Sequence, residues 1–146
     1  MRIGIAQLNP TVGDLAGNLA LAIDAYEQLV GQSVDLVIYP ELFLCGYPPR
    51  DLLLKENFSD DLKESLQAFA SSTGPTPAII GFPEKSNSSQ NGEIYNAAAW
   101  CEASQVRQTF HKRLLPTYDV FDETRYFKSG EKDFFIQYQG KNIAVT

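Results

Sequence analysis

The sequence predicts an α/β layered fold around a mixed sheet. Strand-like runs alternate with amphipathic helical segments through the first half of the chain. The second half turns β-rich, with short strands parted by polar turns. The resulting order, β-α-β-α-β-β-β-β-β, sets helices beside a sheet with both parallel and antiparallel neighbours. At 146 residues the chain has the size of one domain, and 44% apolar with 21% charged residues is enough to build a core.

Ile3–Leu8 reads as the first strand, broken by Asn9-Pro10 and Gly13-Asp14. Leu19, Ile23, Tyr26 and Val30 then recur at spacings of 4, 3 and 4. That period predicts an amphipathic helix, capped by Asn18 and ending near Gly31. Val34–Tyr39 is nearly continuous and apolar, as a strand covered on both faces is, and Pro40 stops it. A second helix starts near Ser59, with Asp60 and Asp61 in its first turn and Leu62, Leu66 and Phe69 on one face. Strands are expected at Ala78–Phe82, Ile94–Cys101 and Val106–His111, joined by turns at Asn87–Gly92 and Glu102–Gln105. A polar and aromatic loop spans Leu115–Gly130, and strands Phe134–Tyr138 and Asn142–Thr146 flank a turn at Gly140-Lys141. The sequence stops inside that last strand, where natural domains seldom end, so a truncated domain is expected. The alternative is a short edge strand at a true C-terminus.

Composition removes several function classes. Twelve Lys and Arg against 18 Asp and Glu leave a net charge of −6, with no basic run to neutralise phosphates. Neither nucleic acid nor an anionic membrane is an expected partner. The longest apolar runs fall far short of the ~20 residues of a membrane span. The N-terminus enters strand-like sequence without a signal-peptide layout, and two Cys form no disulfide framework, so a cytoplasmic location is expected. One His and two Cys also fall short of a four-ligand zinc site, and no metal or cofactor site is expected in this chain.

Two segments could carry chemistry. In Pro40–Leu53, Glu41 follows a buried strand directly, at the carboxyl end where α/β sheets place ligands. Partial desolvation there suits a general base, although a lone glutamate in such a loop is more often simply solvated. In Phe110–Phe127, Lys112 ends a strand ahead of a loop rich in aromatics and charge. Held near Glu41 it would stabilise an oxyanion; alone it is one of an exposed Lys-Arg pair.

Together these segments resemble the carbon–nitrogen hydrolase (nitrilase) superfamily, and within it the N-terminal glutaminase domains of glutamine-dependent NAD synthetases. Four stretches carry the likeness: Ile5–Asp14 with Gly17-Asn18, Pro40–Leu53, Gly81-Phe82-Pro83, and Lys112–Phe127. The Pro-Glu-(four residues)-Gly-Tyr core is shared across the superfamily. Pro48-Pro49-Arg50-Asp51-Leu52-Leu53 and Leu115-Pro116-Thr117-Tyr118-(two residues)-Phe121-Asp122-Glu123 are more particular to the synthetases.

The resemblance implies the N-terminal half of a four-layer α-β-β-α sandwich and a Glu-Lys-Cys triad. Glu41 matches the general base and Lys112 the oxyanion-stabilising lysine. Glu123 matches a second glutamate that supports the lysine and positions substrate or water, while Tyr118 and Phe121 match positions lining the glutamine pocket. The nucleophilic cysteine is absent, and it is expected just after Thr146. Cys45 belongs to the family's loop rather than to its nucleophile turn, Cys101 beside Trp100 reads as core, and a Cys-His pair with His111 is disfavoured. The resemblance also implies glutamine as substrate and an ammonia tunnel to a C-terminal synthetase domain using ATP and magnesium. A domain cut at its last strand would uncover strand edges and apolar area, so a homo-oligomer covering the face near that strand is expected. A piece of another amidase of the superfamily, or a non-catalytic binding module on the same scaffold, are the alternatives.

Overall fold

The computed structural model describes residues 1–86, 92–118, 122–132 and 134–145. In chain order the elements are β1 (Ile3–Ile5), α1 (Leu15–Val30), β2 (Leu36–Ile38), α2 (Phe58–Ser72), β3 (Ala78–Lys85), β4 (Ile94–Glu102), β5 (Gln105–His111), β6 (Phe134–Tyr138) and β7 (Lys141–Val145). Short 3₁₀ turns occupy Arg50–Leu54 and Glu123–Arg125. Among the described residues the strands form a sheet of order β1-β2-β3-β4-β5 and a separate β6-β7 hairpin. The β1-β2 and β2-β3 pairs are parallel; β3-β4 and β4-β5 are antiparallel, so the sheet is mixed as expected.

Strand alternation sorts the sheet's side chains onto two faces. Val37, Ala78, Ile80, Ala97, Ala99 and Cys101 join Tyr26 of α1 and Leu62, Leu66 and Phe69 of α2 in one core. Leu36, Ile79, Trp100 and Phe110 face the other way, where Phe134, Ile136, Tyr138, Ile143 and Val145 of the hairpin cover them. Two edge-to-face ring pairs join hairpin to sheet, Trp100 with Tyr138 at 5.4 Å and Phe110 with Phe134 at 5.3 Å. Each buried Leu or Phe in these cores contributes roughly 1.5–3 kcal/mol. The layers run helices, sheet, second sheet: three consecutive layers of the expected four-layer sandwich.

Several boundaries differ from expectation. β1 stops at Ile5, although the Ala6 N–H still reaches the Ile38 carbonyl at 2.9 Å. β2 is shorter than Val34–Tyr39, and Arg50–Leu54 forms an unexpected 3₁₀ turn. α1 begins at Leu15, because Asp14 rather than Asn18 caps it: the Asp14 carboxylate accepts the Gly17 N–H at 2.9 Å. Asn18 is buried inside the first turns. It accepts from the Thr11 N–H at 2.8 Å and donates to the carbonyls of Thr11 at 2.8 Å and Leu44 at 3.2 Å. A local rule assigns Asn18 to a cap, but the competing demand of two loop segments claims its amide. The turn expected at Asn87–Gly92 lies, but for Gly92, outside the described residues.

Candidate active site

The segment carrying Glu41 is held by its neighbours before its side chain matters. Beyond β2 the Tyr39 N–H donates to the Ile79 carbonyl at 2.9 Å, and the Leu44 N–H donates to the Gly81 carbonyl at 3.2 Å. The chain thus crosses directly over Gly81. A Cβ on Gly81 would lie 2.4 Å from the Leu42 nitrogen, 2.6 Å from the Pro40 oxygen and 2.8 Å from the Glu41 carbonyl carbon, so only glycine fits. Leu42, next to Glu41, has φ +51°, a left-handed conformation costing a leucine about 1–2 kcal/mol. Leu42, Phe43, Leu44 and Cys45 are completely buried, which supplies the packing that holds this strain. The Glu41 side chain emerges from that base 44% exposed.

Lys112 follows β5. Its N–H donates to the Asn96 carbonyl at 2.8 Å, and its own carbonyl accepts the Gly130 N–H at 2.9 Å. The main chain is therefore fixed on both sides, and the ammonium reaches two carboxylates. Nζ donates to Glu41 Oε1 at 2.7 Å and to Glu123 Oε1 and Oε2 at 3.1 and 3.0 Å. Glu123 opens the second 3₁₀ turn and is buried, and the Tyr47 hydroxyl donates to its Oε1 at 3.4 Å. On β4, the buried Asn96 donates from Nδ2 to Glu41 Oε1 at 2.5 Å.

Electrostatics match this geometry. Burial works to lower the pKa of Lys112, but hydrogen bonds and charge from Glu41 and Glu123 outweigh it and leave the pKa above the usual lysine value. The Tyr47 hydroxyl is also raised, by burial and then by the charges of Glu123 and Glu41. A cleft of about 210 Å³ opens beside the cluster, lined by Glu41, Gly81, Asn96, Lys112 and, from the end of β7, Val145. The arrangement offers a proton-accepting carboxylate next to a fixed cation, the pairing that acyl transfer through an oxyanion requires.

The structure thus brings Glu41, Lys112 and Glu123 together. Tyr118 is 69% exposed and lines a groove that Lys112 and Thr117 also line, and Phe121 lies outside the described residues. Cys45 is buried with its thiol against the carbonyls of Leu42 and Gly46, both at 3.4 Å, and burial pushes it up to about 12. Cys101 is likewise buried and pushed up to about 12. Both lack the electropositive, accessible setting of a reactive thiol. The His111 ring is engaged by Glu84 at 2.6 Å and stacked on Tyr95, not by a cysteine. Asn96 and Tyr47 went unrecognised in the sequence. For Asn96 the available signal was an isolated amide in an otherwise apolar strand. Among the described residues no trio of His, Cys, Asp or Glu converges as metal ligands would, and no helix is long and apolar enough to cross a membrane.

Comparison with known proteins places the chain in a family. The carbon–nitrogen hydrolase family model matches residues 2–145. The chain is 43% identical over 148 residues to a glutamine-dependent NAD(+) synthetase of Synechocystis sp., covering 99% of this chain and 26% of that protein. A glutamine-dependent NAD(+) synthetase of Thermotoga maritima is 40% identical over 149 residues, covering 100% of this chain and 25% of its own. The solved structure of the glutamine-dependent NAD+ synthetase from Acinetobacter baumannii, in complex with ADP, superposes with a TM-score of 0.90 at 34% identity, over 98% of this chain and 26% of that one. An amidase from Nesterenkonia sp. shares the fold, with a TM-score of 0.81 at 21% identity, over 99% of this chain and 54% of that one. The chain spans about a quarter of the length of the curated relatives it matches. With a family model along almost its full length and helices, sheet and second sheet layered as in a nitrilase sandwich, the chain belongs to the carbon–nitrogen hydrolase family.

Proposed function

We propose that residues 1–146 form the N-terminal part of the glutaminase domain of a glutamine-dependent NAD synthetase. The observation that carries this reading is the cluster of Glu41, Lys112 and Glu123 at a cleft that the end of β7 also lines. The likeness to glutamine-dependent NAD synthetases over 98–100% of the chain supports glutamine as the amide. In the whole domain the nucleophilic cysteine follows Thr146, and Val145 in the cleft supports that placement.

On this reading Glu41 takes the thiol proton and the thiolate attacks the side-chain amide carbon of glutamine. Lys112 stabilises the tetrahedral oxyanion. As the intermediate collapses to a thioester, the protonated Glu41 returns its proton to the departing ammonia. Glu41 then takes a proton from water, whose oxygen attacks the thioester; as the C–S bond breaks Glu41 returns that proton to the sulfur, glutamate leaves and the thiol is regenerated. Glu123 holds the lysine, and the resemblance assigns the glutamine pocket to Tyr118 and Phe121. Ammonia passes through a tunnel to a synthetase domain beyond this chain, where ATP and magnesium serve the amidation of deamido-NAD. No step assigned to residues 1–146 runs through either of them. A cytoplasmic homo-oligomer is part of the same proposal; the exposed Ile3 and Ile5 of β1 are apolar surface for a further layer or chain to cover.

The test is in the full-length synthetase. Glu41→Gln and Lys112→Ala should each abolish NAD formation from glutamine and spare formation from added ammonia. Near-normal glutamine use by Lys112→Ala would overturn the oxyanion assignment.

A further inference from the structure

We propose that Asn96 is a positioning residue of this site: it holds Glu41 by Oε1, so that Oε2 is the oxygen that takes and returns the nucleophile's proton. This rests on the glutaminase reading above, and it specifies an atom that reading leaves open. Asn96 Nδ2 and Lys112 Nζ both donate to Glu41 Oε1, at 2.5 and 2.7 Å. Two donors use both lone pairs of that oxygen. Among the described residues none donates to Oε2, which leaves that oxygen with its proton-accepting capacity intact.

Asn96 is well placed for the task. It is 3% exposed on β4, paired with Pro83 of β3, so its position is set by the sheet rather than by a loop. The same residue accepts the Lys112 N–H on its carbonyl at 2.8 Å. One strand position therefore sets the base through its side chain and the lysine through its main chain, which fixes their spacing. A buried amide in an apolar strand is unfavourable unless hydrogen-bonded, and here its donor is spent on the carboxylate. In the proton step the S–H bond breaks as Oε2–H forms. When ammonia leaves, Oε2–H breaks as the N–H forms, and Oε1 keeps both its donors throughout.

The experiment uses the full-length synthetase with Asn96→Ala, Asn96→Leu, Glu41→Gln and Lys112→Ala, each assayed with glutamine and with ammonia. Leucine keeps the branched heavy-atom shape of asparagine, with bulkier methyl ends, and removes the donor. Expected for both Asn96 variants is a fall in glutamine-driven kcat of about 10- to 100-fold, the size of one hydrogen bond to a charged group. KM for glutamine should stay within about threefold and the ammonia-driven rate within about twofold. If Asn96→Ala does not fold, Asn96→Leu decides. A kcat within about threefold of wild type in Asn96→Leu, while Glu41→Gln and Lys112→Ala are dead with glutamine, would overturn the role of Asn96 and leave the glutaminase reading standing. A raised KM at unchanged kcat, or unfolding of both Asn96 variants, would also overturn it, as substrate contact or plain packing. Glutamine-driven activity in Glu41→Gln would remove both readings at once.

Discussion

Gly81→Ala is the most informative single substitution, because it moves Glu41 without touching its carboxylate. The added Cβ would lie 2.4 Å from the Leu42 nitrogen, where ordinary contacts begin at 3.4 Å, so the overlying backbone must retreat by about 1 Å. The neighbours cannot absorb this, since Leu42, Phe43 and Leu44 are fully buried and Leu44 is bonded to Gly81 itself. Overpacking of this kind costs roughly 1–3 kcal/mol. A 1 Å displacement of a catalytic group costs about 10²-fold in rate. In the full-length synthetase, glutamine-driven NAD formation should therefore fall about 100-fold, while the ammonia-driven rate stays within about twofold. Thermal unfolding should show a lowered midpoint for the glutaminase domain. A glutamine-driven rate within about threefold of wild type would refute the claim that this crossing sets the position of Glu41.

Cys45→Ala should leave both activities within about threefold. In the native protein Cys45 should resist alkylation at pH 8, since a thiol at about 12 is thiolate in roughly one molecule in 10⁴ there; fast labelling would contradict its inert placement. Lys112 has a raised pKa, so its charged contribution is complete below the unfolded value of 10.5 and is lost as pH rises through a folded value above that. The stability difference between wild type and Lys112→Met should therefore stay constant from about pH 7 to 9.5 and shrink only beyond 10.5; a difference gone by pH 9 would count against the ion pairs. On the proposal that the nucleophile follows Thr146, the 146-residue chain alone should release no glutamate above background, because loss of a nucleophile costs about 10⁶ in turnover in a comparable triad. Glutamate release from pure chain would reopen Cys45 as nucleophile.

What was legible in the sequence follows from how local each signal is. Glu41 stood out because an apolar strand, a Pro and a carboxylate are consecutive, and Lys112 because it ends a strand. Asn96 did not, because its meaning depends on two pairings: β3 places it opposite Pro83, and β5 returns Lys112 to its carbonyl. Asn18 was misread for a similar reason. It precedes a periodic run, as a cap does, but Asp14 already meets that need and the buried amide bridges Thr11 and Leu44. The two faces of the sheet were also hidden. Ala97, Ala98 and Ala99 are one residue type, yet the first and third face the helices and the second faces the hairpin.

The two glutamates around Lys112 are chemically alike, and their surroundings divide the labour. Glu123 is buried, and both its oxygens are engaged, Oε1 by Lys112 and Tyr47 and Oε2 by Lys112. A carboxylate so placed serves as a fixed counter-ion, and a proton moving onto it would remove the charge that strengthens the bonds it already makes to Lys112. Glu41 is 44% exposed, borders the cleft and has both described donors on one oxygen. It can exchange a proton through the other oxygen without breaking its link to the lysine. The proposed roles, base for Glu41 and support for Glu123, thus follow from hydrogen-bond occupancy and access to the cleft. Exchanging the two would ask the buried carboxylate, already bonded on both oxygens, to do the moving.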